Sequence, residues 1–364
     1  MKRSVIYTFC LFITCCFAAC DGTDDNPCDV DFDQKVMFQN YANQLIIPAF
    51  TNLKTEVDLM ETAVNDFVAT PNITNLSNLK SAWLSAYKVW QKASPYNFGP
   101  AETVFLRNSL NNFPLNIEEV NNNIQSGSYD FNLPDAFDKG FPALDYLLYG
   151  IGSDDNTIIE KYTTDADASK YIQYLTDVTT DIKTRVDHTY TEWQTGGYDD
   201  TFNNNIGTAA GSSLSLLVNQ LNQNYELIKR DKIGIPSGVL TLSNTNAELV
   251  EAYFGGQSLE LAKIALEAAE NMYLGQNGVG LDDYLEAIND EGKTLNTNIK
   301  AQFVAAKSSL NTLSDPLSND VTNNNAAVIS AYNELSKILV NIKTNMPSLM
   351  CISITYIDNA SDSD

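Results

Sequence analysis

The chain has 364 residues, with 22 Lys and Arg against 46 Asp and Glu, a single histidine and a net charge of −24. A surface this acidic excludes binding to a nucleic-acid backbone through a general basic field, and one histidine excludes a zinc site built on two histidines of one chain and forces any Ser–His or Cys–His catalysis through His188. Hydrophobic residues at 44% are enough to bury real cores, so the acidity does not mean disorder, and the length fits about two domains.

The N-terminus reads as an address. Lys2 and Arg3 precede an apolar run over 5–17 that is too short to span a bilayer. It ends in Phe17-Ala18-Ala19-Cys20, which resembles the lipobox of bacterial lipoproteins, although Phe17 stands where Leu is usual. The resemblance implies a signal peptide over 1–19, a lipid on Cys20 and attachment to the membrane through that lipid. A plain secretory signal is the alternative. The polar stretch that follows, within 20–32, reads as a flexible tether. Acidic residues just after Cys20 resemble a signal for the outer face of the outer membrane, so the expected place is the cell outer membrane, facing the periplasm or the surface. Without residues 1–19, 20 Lys and Arg stand against 46 acids, a net charge of −26. With Cys20 acylated, Cys28 and Cys351 remain, either as two thiols or as a bridge tying the ends together. The chain-entropy model values such a bridge at about 5 kcal/mol.

The body reads at helical period. Leu76, Leu79, Trp83, Tyr87 and Trp90 recur along 76–93, and Tyr171, Tyr174, Leu175, Val178, Ile182, Val186, Tyr190 and Trp193 along 169–194. Residues 257–273 are rich in Ala, Leu and Glu between Gly255-Gly256 and Gly275, and 323–346 is periodic, with Pro347 expected to end it. Period-two alternation is scarce outside 351–357. The expectation is an all-α protein of two antiparallel helical bundles, 33–197 and 198–358, with a tail over 359–364. The boundary falls at the turn Thr195-Gly196-Gly197-Tyr198-Asp199-Asp200. Ser-Ala-Tyr recurs at 85–87 and 330–332, a short hint of duplication.

The informative segment is Gly140-Phe141-Pro142-Ala143-Leu144-Asp145-Tyr146-Leu147-Leu148-Tyr149-Gly150. It resembles the signature of the imelysin family, Gly-x-His-x-x-Glu followed by an aromatic-leucine run and Gly. Further agreement comes from Trp83 through Trp90 with Phe98-Gly99-Pro100, from Lys229-Arg230-Asp231-Lys232-Ile233-Gly234-Ile235-Pro236, and from 349–356 with Asp358 and Asn359. The resemblance implies two bundles and a functional site at the motif. In the family that His–Glu pair was read as the metal site of a peptidase. Here Pro142 and Asp145 stand in those places. Proline offers no ligand atom, and zinc hydrolysis needs several ligands and an activated water. The motif is therefore degenerate, no catalytic residue or metal ligand is assigned, and the chain leans away from being an enzyme.

Pro142 also suits the first turn of a helix, and Asp145 either serves that helix or joins a binding site. The candidate pocket gathers Trp83, Tyr87, Trp90, Gly99, Pro100, Glu102 and Arg107. For the aromatics the plain alternative is core. For Glu102 it is a first-turn acid. For Arg107 it is an ion pair with Asp145 or Glu102 rather than a clamp for an anionic group. Arg230 and Lys232 are expected at a helix end. His188, among polar neighbours, reads as a surface side chain. No EF-hand spacing or phosphate loop is present. The resemblance implies a binding or accessory lipoprotein of iron or haem acquisition. Iron or haem would be the ligand, and an outer-membrane iron receptor or other envelope proteins the partners. A metallopeptidase on a relaxed site, or a glycan- or protein-binding module, are the alternatives. Haem would find a histidine only at His188.

Overall fold

The computed structural model describes residues 28, 30–133, 136–241 and 244–356. The expected signal peptide, Cys20 and the tail over 359–364 lie outside the described residues. The protein is all-α, and no strand forms among the described residues. Residues 352–356 lie outside any helix and bond to a side chain instead. Thr355 N–H donates to Asn219 Oδ1 (2.7 Å) and Asn219 Nδ2 donates to Ser353 O (3.0 Å).

A long helix, α1, runs over 34–69, started by the Asp33 side chain on Val36 N–H. It packs against α2 (Ile73–Ala93) and α3 (Ala168–Gln194) along the apolar stripes read from the sequence. The second half is built from α4 (Ser213–Leu227), α5 (Ser258–Leu274), α6 (Asp290–Leu310) and α7 (Asn325–Ser336). The polypeptide turns between the halves at 195–197, yet the apolar core is continuous across that turn. Helix α5 packs on α2, and the start of α1 reaches across as well. Tyr41 OH donates to Met272 O and accepts from Leu281 N–H, and Asn40 Nδ2 donates to Gly275 O and Val279 O. The halves are thus not separate cores.

Wide π turns interrupt the helices at Tyr41–Ile46, Ile228–Gly234 and Val340–Asn345, and Pro48, Pro236 and Pro347 each follow one of them. A proline inside a helix lacks an N–H and presses its ring on the carbonyl four residues back, and a widened preceding turn relieves both. Pro347 accordingly does not end its helix. The chain passes through the π turn and stays helical over Met346–Leu349.

The ends of the described chain meet. Cys28 and Cys351 form a disulfide with Cα atoms 5.6 Å apart. The segment read as the end of a flexible tether is already docked there, with the Phe32 ring edge-on to Tyr284 at 5.1 Å. No helix among the described residues is long and apolar enough to cross a membrane.

Candidate functional site

The motif forms a short helix, Gly140–Asp145, that runs into a π turn over Tyr146–Gly150. Pro142 occupies its first turn, where the missing N–H is not needed. Gly140 is required by geometry. Its φ is +74°, and a Cβ there would lie 2.4 Å from Leu110 O. Helix α2 backs this segment with three of the expected aromatics. Trp83, Tyr87 and Trp90 are all buried. Tyr87 stacks on Phe141 at 4.6 Å, and Trp83 Nε1 donates to Phe141 O at 3.2 Å. Burial of rings this size stabilises the fold by about 2–3 kcal/mol each. Trp193 is buried too, so none of the three tryptophans offers an exposed platform for a sugar.

Asp145 is 2% exposed and receives two backbone N–H groups from the other half of the chain. Phe254 N–H donates to Oδ2 at 2.9 Å and Gly255 N–H to Oδ1 at 2.8 Å. The approach needs glycine, because a Cβ on residue 255 would sit 2.8 Å from Oδ1 and 3.0 Å from the Trp83 ring. Burial pushes the carboxyl up to about 7. The two N–H bonds act against that rise, and the nearby charge of Glu251 adds to it.

Beside it lies a buried polar cluster that the sequence reading missed. Glu251 is fully buried and accepts from Gln91 Nε2 (3.0 Å), Asn111 Nδ2 (2.8 Å) and the Lys232 ammonium. Lys232 also donates to Gln91 Oε1 at 3.0 Å, and burial draws its ammonium down while Glu251 opposes the shift. Tyr87 OH donates to Asn111 Oδ1 at 2.5 Å. Lys232, expected at a helix end, is instead one half of a buried ion pair. The local sign of that was Glu251 itself, an acid set between Val250 and Ala252.

The remaining pocket candidates scatter. Gly99, at φ +54°, abuts the Tyr198 ring, and Pro100 is buried as the first residue of the turn Pro100–Thr103. Glu102 on that turn is exposed. Arg107 does not form the ion pair with Asp145 or Glu102 that the sequence suggested. It donates to Gln223 Oε1 (2.8 Å), Gln220 Oε1 (3.0 Å) and Ser94 O (2.7 Å), and burial pulls its guanidinium down to about 10. His188 is exposed beside Thr103 Oγ1, at 3.3 Å.

Two small cavities open here. One, of about 130 Å³, reaches Pro142 and Asp145 past Phe113, Leu115 and Tyr253. The other, of about 120 Å³, is walled by Trp90, Arg107, Asn111, Asn224 and Lys232. A larger open cleft of about 460 Å³ lies away from the motif, between α1, α2 and α5. The residues at the motif do not fit a hydrolytic zinc ion. Pro142 has no donor, both Asp145 oxygens are engaged by backbone N–H groups, and Glu251 is held by Lys232 and two amides. Among the described residues no three His, Cys, Asp or Glu side chains gather to hold a metal ion.

Comparison with known proteins agrees with this architecture. The structure is similar to that of a putative iron-regulated protein A precursor from Parabacteroides distasonis, with a TM-score of 0.71, 19% identity, and coverage of 87% of this chain and 96% of the other. An imelysin-like protein from Psychrobacter arcticum gives a TM-score of 0.67 at 19% identity, covering 90% and 99%. In sequence, the chain is 19% identical over 352 residues to iron-regulated protein A of Synechococcus elongatus, which spans 93% of this chain and 91% of that protein. The imelysin family model matches residues 46–342, and the chain therefore belongs to the imelysin family.

Proposed function

We propose that this protein is a binding or accessory protein of iron acquisition, without peptidase activity, held at the outer membrane by a lipid on Cys20. The observation that carries the reading is the state of the motif. Where the family pattern has a His–Glu pair, this chain has a proline without a donor and an aspartate whose two oxygens clamp the backbone of residues 254 and 255. That pair joins the halves of the fold rather than activating water. The iron side of the reading is supported by relatives described as iron-regulated. The ligand is then iron or haem, and the partner an outer-membrane iron receptor or another envelope protein. The lipid and the address rest on the 17–20 segment and the acidic residues after it.

Calorimetric titration of the chain from residue 20 onward tests this, with ferric citrate and haem as ligands and citrate alone as the reference. Heat above that reference, together with induction under iron limitation, is expected. No heat with either ligand and expression indifferent to iron removes the iron reading. Hydrolysis of a general protein substrate by purified, metal-supplemented protein removes the non-peptidase half. Cys20→Ala is expected to move the protein from the membrane fraction to the soluble one.

A further inference from the structure

We infer that the cavity of about 120 Å³ beneath Phe113 is a binding site for a small oxyanion, a carboxylate or a phosphate. It shares only Phe113 with the cavity that reaches Asp145, so it is a separate place in the fold. A volume of that size holds several waters, or an anion of a few heavy atoms.

The chemistry of its wall points one way. Three of the residues lining it carry an N–H with no acceptor in the protein: the Trp90 indole, Arg107 Nε and the Asn224 side-chain amide. All three are donors, and buried donors in native proteins are nearly always matched. Arg107 adds a full charge. Its hydrogen-bond partners, Gln220, Gln223 and the Ser94 carbonyl, are all neutral, so they orient the guanidinium without neutralising it. An arginine fork presented among spare N–H groups matches the oxygens of a carboxylate or phosphate.

The other charges of the wall are already matched. Lys232 faces Glu251, and Asp231 lies 3.7 Å from Arg230. The uncompensated charge in the wall is thus the one on Arg107. The one acid in the wall, Asp231, is paired with Arg230 and not with Arg107. The Arg107 guanidinium is met by two glutamines and a carbonyl, which leaves its charge for an anion from outside.

The test uses the chain from residue 20 onward, stripped of metal by a chelator. It is titrated at constant ionic strength with phosphate, sulfate, acetate and citrate, and with chloride as control. Binding is read from tryptophan fluorescence and from the thermal midpoint. At least one oxyanion is expected to give a saturable response that chloride does not. The phosphate and carboxylate arms then tell which class the site takes. Arg107→Lys keeps the charge but not the fork, and is expected to weaken binding about tenfold or more. Trp90→Phe keeps the ring in the core but removes one donor, and is expected to weaken binding as well and to lose most of the fluorescence change. No saturable response to any oxyanion overturns the proposal. So does a response that both folded variants retain unchanged. Iron takes no part in this experiment, so its outcome is independent of the iron reading above.

Discussion

Two carboxylates lie buried where the halves of the molecule meet, and the fold treats them differently. Asp145, on the motif helix, has no cation beside it. Its charge is met by two backbone N–H groups, and burial still pushes its carboxyl up to about 7. Glu251 has the Lys232 ammonium and two side-chain amides. Dipoles alone only partly offset the loss of water around a charge, whereas an ammonium with amides offsets it more fully. The first arrangement leaves a group that responds to pH. The second leaves a pair that tolerates no loss of either partner.

The largest effect is therefore expected from breaking the pair. Lys232→Met leaves Glu251 charged, buried and uncompensated, and should cost about 3–5 kcal/mol. Adding Glu251→Gln to that variant removes the stranded charge and should recover most of the loss. Urea unfolding of the parent, the single and the double variant measures both. If the single variant is no less stable than the double, the contrast between the two carboxylates collapses.

The next effect concerns Asp145 and has a defined sign. Its folded value of about 7 lies above the ordinary value of 3.8. Between those values the folded chain holds a proton that the unfolded chain has released. The stability Asp145 contributes in protonated form is fully present below about pH 4 and is lost as pH rises through 7. The rise from 3.8 to about 7 sets an upper bound of about 4 kcal/mol on this change. Asp145→Asn cannot ionise. The stability of the parent minus that of the variant should then fall from about pH 4 to about pH 7 and level off above that. A difference that stays flat across this range would mean that the two N–H groups suffice to hold the charge.

Much of the frame was legible because it is local. The stripes over 76–93 and 169–194 are carried by residues three and four apart, and the helices Ile73–Ala93 and Ala168–Gln194 stand where those stripes predict. Pro347 misled because a single residue does not reveal that the turn before it widens. The site was only half legible. Residues 140–145 located it and told which family the chain resembles. Nothing in the spacing tied Glu251 to Lys232, Gln91 or Asn111, which come from three other stretches of the chain. Arg107 shows the same limit from the other side. Composition made an acid the obvious partner, but geometry delivered Gln220 and Gln223. Sequence counts the charges available and does not tell which of them comes within reach.

The smallest effect probes the link between the two carboxylates. The Tyr87 ring stacks on Phe141 of the motif helix, while its hydroxyl donates to Asn111, which in turn donates to Glu251. Tyr87→Phe keeps the ring stacked on Phe141 and so preserves the packing behind the motif helix. It deletes one hydrogen bond in the shell of Glu251, at about 1 kcal/mol. Combined with Asp145→Asn, its effect should be additive to within about 0.5 kcal/mol. Combined with Lys232→Met, it should not be, because both changes act on how Glu251 is held. Two double-mutant cycles by urea unfolding separate these cases. Coupling to Asp145 as strong as that to Lys232 would mean that the seam between the halves works as one polar network, and that its two carboxylates cannot be treated apart.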